Sequence, residues 1–205
     1  GVKNDQKPCE YFITKNDEVD VQQAFQLSPK SYVAIAIGAQ FQTKVLPLEK
    51  IVEIIQKMET PVILLGGLTD VSRATEIISA LSASKQATIV NAVNQFSLNQ
   101  SASIVAQSAI LLTHDTGLMH IASCFDIPIV SVWGNTVPDL GMYPYYPNQK
   151  EKFSIHEVNN LSCRPCSKIG YQSCPKKHFS CMTLQNSEEI VADVEERFKN
   201  TKIKV

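Results

Sequence analysis

No apolar run in this 205-residue chain approaches the ~20 residues that a membrane-spanning helix needs, so no crossing segment is expected. An excess of charge is missing too. The 19 Lys and Arg residues stand against 20 Asp and Glu, leaving a net charge of -1 and none of the basic field that holds nucleic acid. The start, Gly1-Val2-Lys3-Asn4-Asp5, has neither the hydrophobic core of a secretory leader nor an initiator methionine. The expectations from these two absences are a cytoplasmic location and a chain that is a piece of something longer. Although Gly66-Gly67 is present, the chain contains neither the Gly-x-Gly-x-x-Gly of a nicotinamide site nor the Gly-Lys-Ser/Thr of a P-loop, so neither ligand is favoured. What is present is a 44% hydrophobic composition over a length that suits one substantial α/β domain.

Short β-rich apolar runs alternate with amphipathic helical patterns. The strands are expected at Tyr32 to Gly38, Pro61 to Gly67, Ala87 to Val93, Ala109 to Thr113 and Ile127 to Trp133. Between them, Pro47 opens a helix with Leu48, Ile51, Val52, Ile55 and Met58 at helical spacing. Asp70 caps a second, with Val71, Ala74, Ile78 and Leu81 as its apolar face, and Ser97 caps a third carrying Leu98, Ala102 and Val105. Near-continuous apolar strands separated by helices predict an α/β fold, a parallel sheet with helices on both faces. Right-handed crossovers then put every strand's C-terminal turn on one edge.

That edge collects the polar residues. Gly38, Gln40, Gln42, Thr43 and Lys44 follow the first strand; Gly66, Gly67, Thr69 and Asp70 the second; and Asn94 and Gln95 the third. The fourth ends in Leu112-Thr113-His114-Asp115-Thr116-Gly117-Leu118-Met119-His120, a strand that stops at a polar turn on which a helix starts. Asp115 and Thr116 are good N-cap residues, Gly117 removes a side chain where a ligand would approach, and His120 falls about one turn into the helix. Such a turn favours an anion, and a strand-to-helix turn of an α/β sheet is where ligands usually sit. Lys44 is a suitable point charge for a diphosphate, Thr116 and the Gly117 N–H are suitable donors, and Asp70 is placed to accept from a ribose or base. Helix capping by Asp115-Thr116-Gly117, a core role for His120 and a solvated Lys44 are the bland alternatives, and the convergence of all these turns on one crevice weighs against them.

A second unusual feature is the Cys-rich loop 161–182, with Cys163-Arg164-Pro165-Cys166, then Cys174, His178 and Cys181. These are enough soft ligands for tetrahedral zinc, but six residues separate the second Cys pair where a zinc-ribbon knuckle has two. Reduced packing thiols, structural zinc and disulfides all remain open readings. Cys9 and Cys124 read as isolated thiols. Tyr143, Pro144, Tyr145, Tyr146 and Pro147 form a rigid aromatic turn, able to stack on a ligand or simply to pack on the domain, and Lys176-Lys177 reads as a solvated basic patch. Asn186 and Glu189 form a capping pair ahead of Ile190, Val191, Val194 and Phe198, so a final amphipathic helix is expected.

The order of these motifs resembles the C-terminal, donor-binding half of the glycosyltransferase family that includes the ADP-heptose:lipopolysaccharide heptosyltransferases. The resemblance starts at about Ser31 and runs to the C-terminus. It rests on Gly38-Ala39 with Lys44 and Pro47 following, Leu64-Leu65-Gly66-Gly67, Asp115-Thr116-Gly117-Leu118-Met119-His120-Ile121-Ala122, and Trp133-Gly134-Asn135-Thr136-Val137-Pro138. It implies a two-domain GT-B enzyme of Rossmann-like halves, of which residues 31–205 are the nucleotide-sugar-binding domain and residues 1–30 a linker from a missing N-terminal acceptor domain.

By the same resemblance the donor, ADP-heptose, is bound by Gln40, Thr43, Lys44, Asp70, Gln95, Phe96, Asp115, Thr116, Gly117 and His120. Lys44 and the Thr116-Gly117 turn hold the diphosphate and stabilise it as it leaves, Asp70 the ribose, and the Gln95-Phe96 turn borders the base. Asp70 and Ala39-Gln40 depart from the residues common in the family, which have Glu and Thr or Ser there. The implied reaction is inverting transfer to a lipopolysaccharide-type acceptor with no cofactor, and no catalytic residue lies in this chain, since the base belongs to the missing domain. A lipid-linked acceptor would bring the complete enzyme to the inner face of the membrane as a peripheral protein. The alternatives are a nucleotide-sugar epimerase of the same architecture and, from another class, an interaction module stabilised by zinc at Cys163, Cys166, Cys174, His178 and Cys181.

Overall fold

The computed structural model describes residues 1 and 3–203; Val2 of the 1–30 segment and the last two residues of the 31–205 domain lie outside them. Six strands form one parallel sheet: β1 (Val33–Ala36), β2 (Val62–Leu65), β3 (Ile89–Asn91), β4 (Ile110–His114), β5 (Ile129–Trp133) and β6 (Phe153–Glu157). Their order is β3-β2-β1-β4-β5-β6, so the direction of winding reverses between β1 and β4. Register is fixed by pairs such as Ile35 with Leu64 on one side and Ile35 with Leu112 on the other. The sixth strand has no counterpart among the sequence expectations, because Phe153-Ser154-Ile155-His156-Glu157 alternates apolar and polar residues at a half-buried edge.

Alternation along β1 divides the core in two. Val33, Ile35 and Ile37 point to one face, where α2 (Leu48–Lys57), α3 (Val71–Ala80) and α8 (Ser187–Ile203) cover them with Ile51, Ile54, Ile55, Ala74, Ile77, Ile190 and Val194. Tyr32, Ala34 and Ala36 point to the other, against Val21 of α1 (Val21–Phe25), Ile104 and Val105 of α5 (Leu98–Gln107), and Met119 and Ala122 of α6 (Gly117–Ser123). Two short helices, α4 (Ala83–Gln86) and α7 (Ser180–Thr183), complete the set.

Several local expectations change in detail. Pro47 is the N-cap of α2 and lies just outside its first turn. Asp70 occupies the N-cap position of α3 without a side-chain cap; its carboxylate accepts from the Gly67 N–H at 2.9 Å instead. Val71 and Leu98, expected on apolar faces, are exposed, while Ile77 is fully buried. Ser97 caps α5 in a capping box with Gln100.

Within the segment 1–30, expected as a linker, residues between 11 and 27 pack on the sheet's second face. Val21 is buried, the Val19 N–H donates to Ser103, and Tyr11 donates to Asn99 at 2.6 Å and meets Phe125 edge-on. This brings Cys9 beside Cys124, so these two thiols are neighbours and not isolated. Tyr143 and Tyr146 of the aromatic turn stack on Phe153. Among the described residues no helix is long and apolar enough to cross a membrane.

The final helix starts where expected, with Asn186 Oδ1 accepting from the Glu188 and Glu189 N–H groups. It is tied to β6 through Asp193, which accepts from Arg197 at 2.6 Å and from Ser154 and pairs with His156 at 2.9 Å. Burial acting alone would raise the Asp193 carboxyl, but these hydrogen bonds and the Arg197 charge outweigh it and hold the group at about 2, below its ordinary 3.8. A depressed folded-state pKa contributes stability that is complete above pH 3.8 and is lost as pH falls toward 2, a contribution of about 2 kcal/mol at neutral pH. Asp193→Asn should therefore lower stability at pH 7 and flatten the loss between pH 4 and 2, which urea unfolding across that range would reveal; an unchanged acid limb would refute this role.

Candidate functional site

At the C-terminal edge of the sheet, where β1 and β4 send their connections to opposite sides, the turns leave a crevice of about 410 Å3. This is the switch point at which open α/β sheets place their ligands. Its walls come from four turns: Gly38 and Gln40 after β1, Gly66 and Asp70 after β2, Phe96 after β3, and Thr116 and Gly117 after β4. Apolar Leu65, Leu98 and Leu118 line it beside Phe96, so one part of the crevice suits a flat ring and another a polar chain. A cavity of about 470 Å3 also opens near the strands' N-terminal edge, but its Lys152 and Asp126, and its Arg197 and Asp193, already pair with one another.

Glycines let the Asp70 carboxylate sit between two strands. A Cβ on Gly38 would lie 2.1 Å from Asp70 Oδ1, and one on Gly66 would lie 2.8 Å from Oδ2. At Gly117 the opposite holds, since a Cβ there would meet nothing within 4 Å. Thr116 is the N-cap of α6, its hydroxyl accepting from the Met119 N–H. The first N–H groups of a helix have no intrahelical partner, so Gly117 presents backbone to open space at the crevice wall.

Lys44 lies deeper. Its ammonium is 2.7 Å from Asp115 Oδ2, and the two side chains are only 11% and 6% exposed. Asp115 also accepts from the Thr136 hydroxyl at 3.1 Å. An ammonium carries three donors, so the pairing leaves others for a ligand. The loop between Gly38 and Leu46 is fixed at both ends: Arg73 on α3 donates to the carbonyls of Ile37 and Leu46, and His114 Nε2 accepts from the Leu46 N–H at 3.1 Å. Burial, with the Arg73 charge next, pushes the His114 imidazole down to about 3, so it stays neutral as an acceptor requires.

The sequence-derived candidates thus fall into groups. Gln40, Asp70, Phe96, Thr116 and Gly117 line the crevice, and Lys44 and Asp115 are joined to each other. Thr43 is buried, its hydroxyl donating to the Tyr171 carbonyl, and it lines a separate groove with Cys174 and Phe179. Gln95 is exposed and donates to the Asn91 carbonyl, and His120 is exposed on α6; neither side chain lines the crevice.

All six cysteines are free. In the Cys-rich loop, Cys166 donates to the Cys163 carbonyl at 2.9 Å, Cys163 lies 3.9 Å from His178 Nε2, and Cys181 is buried, its thiol pushed up to about 11 by that burial. Cys181 turns into the core, and among the described residues no three His, Cys, Asp or Glu side chains are arranged to hold a metal ion. The zinc-module alternative therefore has no ligand set in this geometry.

Sequence reasoning missed Arg73, Arg164 and His114. Arg164 sits inside a motif read for its cysteines, and His114 inside a strand pattern.

Three comparisons bear on this site. Lipopolysaccharide heptosyltransferase 2 of Salmonella typhimurium is 35% identical over 78 residues, which are 38% of this chain and 22% of that protein. The structure of E. coli ADP-heptose lipopolysaccharide heptosyltransferase II superposes with a TM-score of 0.72 at 19% identity, over 94% of this chain and 54% of that one. An E. coli heptosyltransferase solved with ADP gives 0.58 at 20% identity, over 86% and 48%. The chain therefore spans about half the length of these structural neighbours. A model of the family described as glycosyltransferase family 9 (heptosyltransferase) matches residues 1–172, most of the chain, and the fold agrees with it, so the chain belongs to that family.

Proposed function

We propose that this chain is the donor-binding part of a heptosyltransferase, holding a nucleoside-diphosphate heptose for inverting transfer to a lipopolysaccharide-type acceptor. The observation that carries this reading is the crevice at the β1/β4 switch point, with apolar walls on one side and the Thr116-Gly117 turn on the other, and the Lys44–Asp115 pair on the same two turns. Phe96, Leu98 and Leu118 suit a nucleobase, Asp70 suits the ribose hydroxyls, and Lys44 with the Gly117 backbone suits the diphosphate. ADP is the favoured nucleotide because structural neighbours were solved with ADP, with ADP-2-deoxy-2-fluoro heptose and with ADP-D-beta-D-heptose.

In inverting transfer an acceptor hydroxyl attacks the anomeric carbon, and the bond to the nucleoside diphosphate breaks with its electron pair leaving on the phosphate oxygen. Negative charge therefore grows where Lys44 and the α6 backbone stand, and donors fixed in advance lower the barrier without having to reorganise. The general base that takes the hydroxyl proton, and the acceptor itself, are assigned to the part of the enzyme outside this chain. The same assignment makes the complete enzyme cytoplasmic and peripheral to the membrane that carries its acceptor.

Calorimetric titration with ADP, UDP, GDP and ADP-heptose tests this reading. ADP and ADP-heptose should bind in preference to the others, and Lys44→Gln, which keeps a donor for Asp115 but removes the charge, should weaken ADP by about tenfold or more. Equal binding of all three nucleoside diphosphates would sink the base assignment, and an unaffected Lys44→Gln variant the diphosphate assignment. Gly117→Ala makes a sharper case. A methyl there meets nothing in the fold, so stability should change by less than about 0.5 kcal/mol while ADP affinity falls about tenfold. Undiminished affinity would place the diphosphate elsewhere.

A further inference from the structure

The Cys-rich loop reaches the neighbourhood of the Lys44–Asp115 pair through its arginine. The Arg164 side chain is 6% exposed and donates from all three guanidinium nitrogens. Nε donates to the Gly134 carbonyl, Nη1 to the Val158 carbonyl at 3.0 Å, and Nη2 to the Thr136 carbonyl at 3.0 Å and to Glu157 at 2.9 Å. Gly134 and Thr136 belong to the turn after β5, and the Cys166 N–H holds the residue between them by donating to the Asn135 carbonyl at 3.0 Å. Thr136 is fully buried, and its hydroxyl donates to Asp115, which in turn pairs with Lys44.

The turn is packed on its other side as well. A Cβ on Gly134 would come within 2.7 Å of the Thr43 carbonyl, so the turn already lies against the backbone next to Lys44. A planar fork with donors pointing in fixed directions can hold three carbonyls and a carboxylate at once; an ammonium cannot.

Resting on the donor-site reading above, we infer that Arg164 is a positioning residue for diphosphate binding: through Gly134 and Thr136 it sets the Asp115 carboxylate, and through Asp115 the Lys44 ammonium. The contact runs from guanidinium to turn, from turn hydroxyl to carboxylate, and from carboxylate to the cation that meets the ligand. Arg164 itself touches no ligand, so its effect falls on the diphosphate and spares the nucleoside.

The test compares adenosine and ADP as calorimetric probes on the whole chain, in wild type, Lys44→Gln, Arg164→Lys, Thr136→Val and the Arg164→Lys/Lys44→Gln pair. Thr136→Val cuts only the hydroxyl link to Asp115, so it keeps the test alive if the arginine variant does not fold. Arg164→Lys and Thr136→Val should each weaken ADP by about tenfold and leave adenosine unchanged, and the arginine change should add nothing once Lys44 is already Gln. If Lys44→Gln weakens ADP while Thr136→Val and Arg164→Lys do not, the positioning role is wrong and the site reading stands. If the arginine variant weakens adenosine and ADP equally and Thr136→Val weakens neither, Arg164 is structural only. Failure of wild type to bind ADP, or an unaffected Lys44→Gln variant, takes down the donor-site reading itself and this inference with it.

Discussion

The contact between Lys44 and Asp115 is the constraint around which the crevice is organised. Two side chains with so little exposure lose most of their hydration, and an attraction of this kind repays that cost only when geometry and surrounding hydrogen bonds are good. The fold supplies both. The Lys44 loop is tied down at Ile37 and Leu46 by Arg73 and at Leu46 by His114, while Asp115 receives the Thr136 hydroxyl. A hydrophobic pair of the same volume would cost less to bury. What the ion pair provides is a cation held in one place at the edge of a parallel sheet, next to a helix start and a cluster of backbone donors.

That placement follows from topology. With β1 and β4 adjacent and their crossovers on opposite sides, the loop after β1 and the turn after β4 face each other and are joined by the Lys44–Asp115 pair. The residues after β2 and β3 add the remaining walls. Asp70 fills the notch made by Gly38 and Gly66, and Phe96 rests edge-on against Phe25.

The sheet was legible because its first five strands in chain order are apolar runs bounded by glycine, proline and polar turns, and the helices because Ser97, Thr116 and Asn186 announce their starts. The sixth strand was not, since an edge strand half covered by a loop has no run of buried residues to mark it. Composition and spacing located the crevice-lining Gln40, Asp70, Thr116 and Gly117, because a parallel sheet forces its C-terminal turns together, while Phe96 came only from the family resemblance. They could not find Arg73 or Arg164, whose work is to hold carbonyls far away in sequence; a buried arginine looks like a surface one until the fold is known. The cysteines drew attention by their chemistry, yet among the described residues no three metal-ligating side chains are arranged to hold an ion, and it is the arginine between two of the cysteines that ties the loop to the turn after β5.

Phe25 lies on a helix of only five residues, far below the length that is stable by itself in water. Its ring nonetheless supports Phe96, a wall of the crevice. That wall therefore leans on a segment far away in sequence, docked through Val21 in the core and the Val19 N–H on Ser103, whereas the Lys44–Asp115 pair is held by turns of the sheet itself. The ring wall and the charged pair thus have separate supports, so a fault in the packing of α1 would reach the first and spare the second.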